Sequence, residues 1–137
     1  MIVVDASALT DFLLGRPEAV TVVEAELAAH DHEPLHAPEL IEPETLNALR
    51  RLVRQRHVSA QRAGEALADL AHARLIRYPH APLRPRVWAL RDTLTAYDAS
   101  YLALAEALED PVFLTADAGL ARAARRSLGR DGVRHVG

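Results

Sequence analysis

The chain has no cysteine, no lysine, few aromatic residues and no long apolar run. Without cysteine, a disulfide framework, a thiolate zinc site and a cysteine nucleophile are all excluded. Without a run approaching ~20 apolar residues, a membrane-spanning helix is excluded as well. The opening MIVVDASAL has no basic segment ahead of its apolar stretch and carries an acid at Asp5. It lacks the layout of a secretory signal, so a cytoplasmic protein with no membrane association is expected. Glycine-rich phosphate loops, the dinucleotide fingerprint, the HExxH metal motif and the GxSxG elbow are also missing. With aromatics at 4%, Tyr78, Tyr97, Tyr101, Trp88 and Phe113 are too scattered for a base-stacking platform and read mainly as core. Of the seven histidines, His30, His32 and His36 cluster in a polar connection, where surface placement is expected.

What is present fits one domain. The 137 residues, half of them hydrophobic, are too few for two ordinary domains, and a chain of this size buries roughly two-thirds of its unfolded surface. The net charge of −3 hides an uneven distribution: residues 1–49 carry −9, with Arg16 their one base, and residues 50–137 carry +6. An acidic region beside a basic one is the pattern of a charged site near a surface that meets phosphates, although solvated helix faces give the same count.

The hydrophobic pattern alternates strand and helix. Short apolar runs at 2–4, 35–37, 75–78, 112–114 and 133–136 read as strands. Helical patterns cover 6–14, 18–30, 38–56, about 60–73 behind a Ser59 cap, 83–92, 97–108 and 118–128. Strands separated by helices imply a three-layer α/β/α sandwich around a central, mainly parallel sheet, one domain over 1–137. In such sheets ligands bind outside the carboxyl ends of the strands.

Two acids fall at those ends: Asp5 after the first strand and Asp117 just beyond Leu114-Thr115-Ala116. Two more open apolar helices, Glu44 behind Pro43 and Asp98 in Thr95-Ala96-Tyr97-Asp98. Helix capping alone accounts for an aspartate at 5 or 117, and a first-turn acid complements the helix dipole. On a helical wheel Glu44, Asn47 and Arg51 share a stripe beside the apolar face, an expensive place for an unpartnered carboxylate. Glu42 falls on the opposite side, and Glu39 is a further competitor. Carboxylates gathered in one cleft repel unless a cation neutralises them, and oxygen-only donors favour Mg²⁺ or Mn²⁺. Phosphodiester cleavage has that requirement.

Val3-Val4-Asp5-Ala6-Ser7-Ala8-Leu9, then Ala37-Pro38 with Glu44-Thr45-Leu46-Asn47-Ala48-Leu49, then 95–105, then Leu114-Thr115-Ala116-Asp117, resemble a PIN-domain protein. Among these the chain is most similar to the VapC-type toxins of bacterial toxin–antitoxin pairs. The resemblance spans 1 to about 126, with four blocks in the family's order. It implies Mg²⁺-dependent endoribonuclease activity on an RNA substrate, with products bearing 5′-phosphate and 3′-hydroxyl ends. It also implies a cognate antitoxin and a homodimer. Carried over, Asp5, Glu44, Asp98 and Asp117 form an acidic quartet. Asp5 and Asp98 hold the first ion, Glu44 binds it directly or through water and helps position the attacking water, and Asp117 helps hold a second ion. Ser7, Asn47 and Thr115 orient ligands or water from behind them. Pro43 departs from the family's pattern of an ordinary residue within a continuous helix; a kink or restart there leaves open how deeply Glu44 reaches. About half the arginines at 50, 51, 54 and 56 and at 122, 125, 126 and 130 are expected on RNA phosphates; the others are solvated or face the antitoxin. Phe12, Leu13 and Leu14 read equally as core or as part of a partner groove.

Three other readings compete. A non-catalytic RNA- or protein-binding module would keep the fold but not need the quartet. A structure-specific DNA nuclease would use the same metal chemistry. A receiver-like phosphoacceptor would need a lysine that the chain lacks.

Overall fold

A computed structural model describes residues 1–137. Five strands form one sheet: β1 (Ile2–Val4), β2 (Leu35–Pro38), β3 (Leu75–Tyr78), β4 (Val112–Thr115) and β5 (Val133–His135), in the order β3-β2-β1-β4-β5. Every neighbouring pair is parallel. All three residues of β1 are buried, as a central parallel strand covered on both faces requires.

Seven α-helices connect the strands: α1 (Ala6–Leu13), α2 (Pro17–Ala29), α3 (Ile41–Arg54), α4 (Ala60–His72), α5 (Arg84–Ala89), α6 (Ala96–Ala107) and α7 (Ala118–Leu128). Helix α1 packs with α2, α3 and α4, and α6 packs with α5 and α7. The chain moves from β1 outward to β3, then returns past β1 to β4 and β5. Crossovers of one hand therefore place the two helix groups on opposite faces, which makes the expected three layers. The reversal leaves a crevice between the carboxyl ends of β1 and β4, where such sheets bind ligands.

The core is one cluster of 30 buried residues. Seven consecutive residues of α6, Ala99 to Ala105, are buried, so this helix is enclosed on every side rather than amphipathic. Between α1 and α2, Gly15 takes a φ of +73° and Pro17 begins the next helix, so the chain turns sharply with little loop.

The helix expected over 38–56 starts at Ile41, because Pro38 closes β2. Pro43 lies in the first turn of α3, where an amide has no intrahelical acceptor to lose, so it neither kinks nor restarts the helix. The helix expected over 83–92 shrinks to six residues behind a 3₁₀ turn at Ala81–Leu83 and ends at Ala89, its Pro82 and Pro85 both in first turns where no donor is needed.

Three placements differ from expectation. Trp88 and Tyr97 are 67% and 61% exposed rather than core. The Arg91 guanidinium lies over the Trp88 ring, 4.6 Å from its centre. His36 is a buried strand residue, not a surface one, and its Nδ1 meets the Tyr78 hydroxyl at 2.7 Å. Leu13 is core, while Phe12 and Leu13 also line an apolar depression of about 270 Å³ near the amino ends of β2 and β3. No helix is long and apolar enough to cross a membrane.

Candidate active site

Strand register builds the site. Val4 pairs with Leu114, and the Asp5 amide donates to the Leu114 carbonyl at 3.1 Å. Asp5 therefore comes to rest beside Thr115, at the mouth of the crevice.

Asp5 is 4% exposed. Its Oδ1 accepts from the Ser7 hydroxyl at 2.6 Å and from the Ala8 amide at 2.9 Å, which also caps α1. Its Oδ2 accepts from the Thr115 hydroxyl. Both hydroxyls are themselves held: Ser7 Oγ accepts from the Ala116 amide at 2.9 Å, and Thr115 Oγ1 from the Asp117 amide at 3.0 Å. Ser7 and Thr115 thus stitch the end of β1 to the end of β4 and fix the Asp5 carboxylate between them. Capping and cleft placement coexist in this one side chain. Burial pushes the Asp5 carboxyl up to about 6, against the pull of its three donors, and the charge of Asp98 pushes the same way.

Glu44 projects from the first turn of α3, and its Oε1 accepts from the Tyr101 hydroxyl at 2.6 Å. Tyr101 is 1% exposed; burial and the adjoining Glu44 carboxylate raise its hydroxyl well above the usual phenol range. Asp98 lies one turn before Tyr101 on α6, its amide capped by Thr95 Oγ1 at 3.2 Å. Burial raises the Asp98 carboxyl, and the charges of Asp117 and Glu44 raise it further. Asp117 caps α7 by accepting from the Leu120 amide at 2.8 Å.

These four acids line one cleft of about 370 Å³, together with Ser7, Arg51 and Tyr101. None of them forms an ion pair. The protein's six ion pairs engage other acids: Asp11, Glu26, Glu42, Glu65 and Glu106. Glu42 is held by Arg77 and Glu39 is exposed, so neither competitor of Glu44 lines the cleft. Asn47 is exposed and outside the cleft lining; Ala48 and Arg51 occupy the wall one and two turns beyond Glu44. Tyr101 was read from the sequence only as core. Its position three residues after Asp98 is the signal for more, because a buried tyrosine hydroxyl needs a partner and this helix face already carried an acid.

The donor set suits a hard cation: oxygens only, with a buried carboxylate that no cationic side chain neutralises. No three acidic or histidine side chains stand close enough to close a shell round one ion. The cleft therefore offers one or two carboxylates at a time, which suits Mg²⁺ because it keeps several waters.

Residues 2–126 match the family described as PIN domain. Ribonuclease VapC9 of Mycobacterium tuberculosis is 41% identical over 117 residues, 85% of this chain and 86% of that protein. Ribonuclease VapC1 of the same organism is 41% identical over 122 residues, covering 88% and 89%. The crystal structure of PAE2754 from Pyrobaculum aerophilum superposes with a TM-score of 0.67 at 25% identity, covering 98% of this chain and 90% of that one. Fold, order of blocks and overall similarity agree, and the chain belongs to the PIN-domain family, alongside the VapC ribonucleases.

Proposed function

We propose that this protein is a divalent-metal-dependent endoribonuclease and the toxin of a toxin–antitoxin pair, hydrolysing RNA phosphodiester bonds in the cleft of Asp5, Glu44, Asp98 and Asp117. One observation carries the reading: four carboxylates from separate elements converge at the crevice between β1 and β4, with one guanidinium, Arg51, among them and none of the four in an ion pair. A fold keeps such repulsion where a cationic ligand is part of the working state.

Asp5 and Asp98 are the residues that would hold Mg²⁺ (or Mn²⁺), with Glu44 and Asp117 completing the acidic surround. When bound, such an ion offsets charge on the phosphate and lowers the proton affinity of nearby water. The chain's own residues do the positioning. Ser7, Thr115 and the Ala8 amide hold Asp5 in one orientation. Tyr101 occupies one oxygen of Glu44, leaving the other to orient water toward the phosphate or take its proton. Arg51, in the same cleft, supplies a guanidinium for a phosphate oxygen.

The names of the VapC relatives support RNA as substrate, and membership of that group supports a cognate antitoxin and a homodimer as the resting assembly. The test is cleavage of RNA by the purified protein, with and without EDTA, and mapping of the new ends. Metal-dependent cuts bearing 5′-phosphates are expected. Undiminished cleavage in EDTA, or full activity in Asp5→Asn, would sink the mechanism.

A further inference from the structure

Beyond the acidic cleft, a second depression of about 290 Å³ continues from Asp98 and Asp117 along α7. Its lining includes Thr93, Thr95, Gly119, Arg122 and Arg126. The two arginines stand one turn apart on α7, both exposed, and neither forms an ion pair or a side-chain hydrogen bond. Nearby Arg86, in the adjoining hollow, is instead neutralised by Glu106 at 2.9 Å. Gly119 keeps the floor open: a Cβ there would lie 3.2 Å from Asp117 Oδ1 and 3.8 Å from Arg122 Nη2.

We propose that Arg122 and Arg126 form a phosphate subsite that binds the RNA backbone on the α7 side of the scissile bond. The inference rests on the ribonuclease reading and adds the path of the strand. Complementing the dipole at the end of α7 accounts for Arg126, but Arg122 lies mid-helix, where the dipole asks for nothing. The two guanidiniums, neither in an ion pair, line a hollow whose acids, Asp98 and Asp117, are the ones proposed to face a cation in the adjoining cleft. A phosphodiester supplies the acceptor that both arginines lack and takes bidentate bonds. The Thr93 and Thr95 hydroxyls on the opposite wall can donate to the same group. The scissile phosphate then sits over the carboxylates, while its neighbour along the strand sits between α7 and residues 93–95.

The test uses fluorescent single-stranded RNA oligonucleotides that span a mapped cleavage point, bound in the Glu44→Gln background so that they stay intact. Adding Arg122→Gln and Arg126→Gln should weaken binding about 10-fold and lower the slope of log Kd against log salt by about 1.4. Oligonucleotides lengthened on either side of the cleavage point locate the contact. The affinity gained by lengthening on one side should vanish in the variant, and the gain on the other side should persist. In the otherwise native enzyme the pair should raise KM with kcat changed less than about 2-fold, at an unaltered melting temperature. An unchanged affinity and salt slope in a protein that cuts RNA normally would overturn the subsite alone. A native protein that neither binds nor cuts RNA would overturn both the subsite and the function beneath it.

Discussion

Replacing Asp5 with asparagine should make the metal-free protein more stable. Asp5 is 4% exposed, has no cationic partner, and carries a carboxyl pushed up to about 6. Keeping it ionised in the fold near neutral pH costs about 3 kcal/mol relative to the unfolded chain. Because the folded pKa lies above the unfolded one, the native state holds the extra proton between roughly pH 4 and 6. Stability from this group therefore grows as the pH falls through that window, and the cost is fully present above it. Asparagine removes the charge and keeps Oδ1 for Ser7 and the Ala8 amide. Its amide group, however, faces the Thr115 hydroxyl, which must turn its hydrogen toward Ser7 Oγ, 3.4 Å away. Losing one good hydrogen bond takes back about 1 kcal/mol. The net gain is about 2 kcal/mol, a rise of roughly 6–8 °C in Tm for a domain of this length. Thermal melts of both proteins in EDTA measure it. Near pH 5 the gap should narrow to below about 1 kcal/mol as the native carboxyl takes up its proton. Adding Mg²⁺ should raise the Tm of the native protein and leave the variant where it was. A variant less stable than the native protein at neutral pH in EDTA, or a gap that widens on acidification, would refute the reasoning.

Other substitutions separate support from chemistry. Tyr101→Phe keeps the buried ring but removes the donor to Glu44; stability should fall by about 1 kcal/mol, while single-turnover cleavage slows about 10-fold from a misoriented carboxylate. Thr115→Val removes a donor to Asp5 and the acceptor of the Asp117 amide at once. Urea unfolding should show a loss of about 2–3 kcal/mol, with the Asp5 carboxyl titrating still higher. Glu44→Gln should abolish cleavage, whereas Glu42→Gln should leave it intact, because Glu42 is tied to Arg77 outside the cleft. That surface pair should be worth under about 1 kcal/mol in a melt.

The strands that carry the site were legible because β1 and β4 are continuous apolar runs that stop at polar residues, and a central parallel strand can be little else. Asp5 and Asp117 follow those runs, so their place at the sheet edge came with the strands. The link between them was not legible. Whether Ser7 and Thr115 reach the same carboxylate depends on the Val4–Leu114 register, which joins residues more than a hundred positions apart. The Tyr101–Glu44 bond hides for the same reason: each residue alone satisfies a local pattern, one as core and the other as a first-turn acid. Pro43 was ambiguous until the start of α3 was known, since the same ring is harmless in a first turn and disruptive one turn later. Trp88 and Tyr97 show the opposite error. Apolar character permits burial without requiring it: Trp88 lies in the last turn of α5 and Tyr97 in the first turn of α6, and both are exposed there.

The uneven charge along the chain has a structural explanation. A cleft built from four carboxylates repels the polyanion it is proposed to cut, so the fold must recruit RNA with charges placed elsewhere. Residues 1–49 supply Asp5 and Glu44, while the arginines come from later turns of α3 and from α7, on either side of the cleft. Arg51 and Arg122 stand close enough to the carboxylates to offset part of their charge, while the exposed arginines outside the cleft attract neighbouring phosphates over the roughly 8 Å that fields reach at physiological salt. Arg51 faces the phosphate in the cleft, and affinity for the flanking strand falls to the arginines outside it. Raising the salt should increase KM steeply while leaving kcat nearly flat in steady-state cleavage. A kcat that fell in parallel would mean that the rim arginines act on the scissile phosphate itself, and the separation of roles would fail.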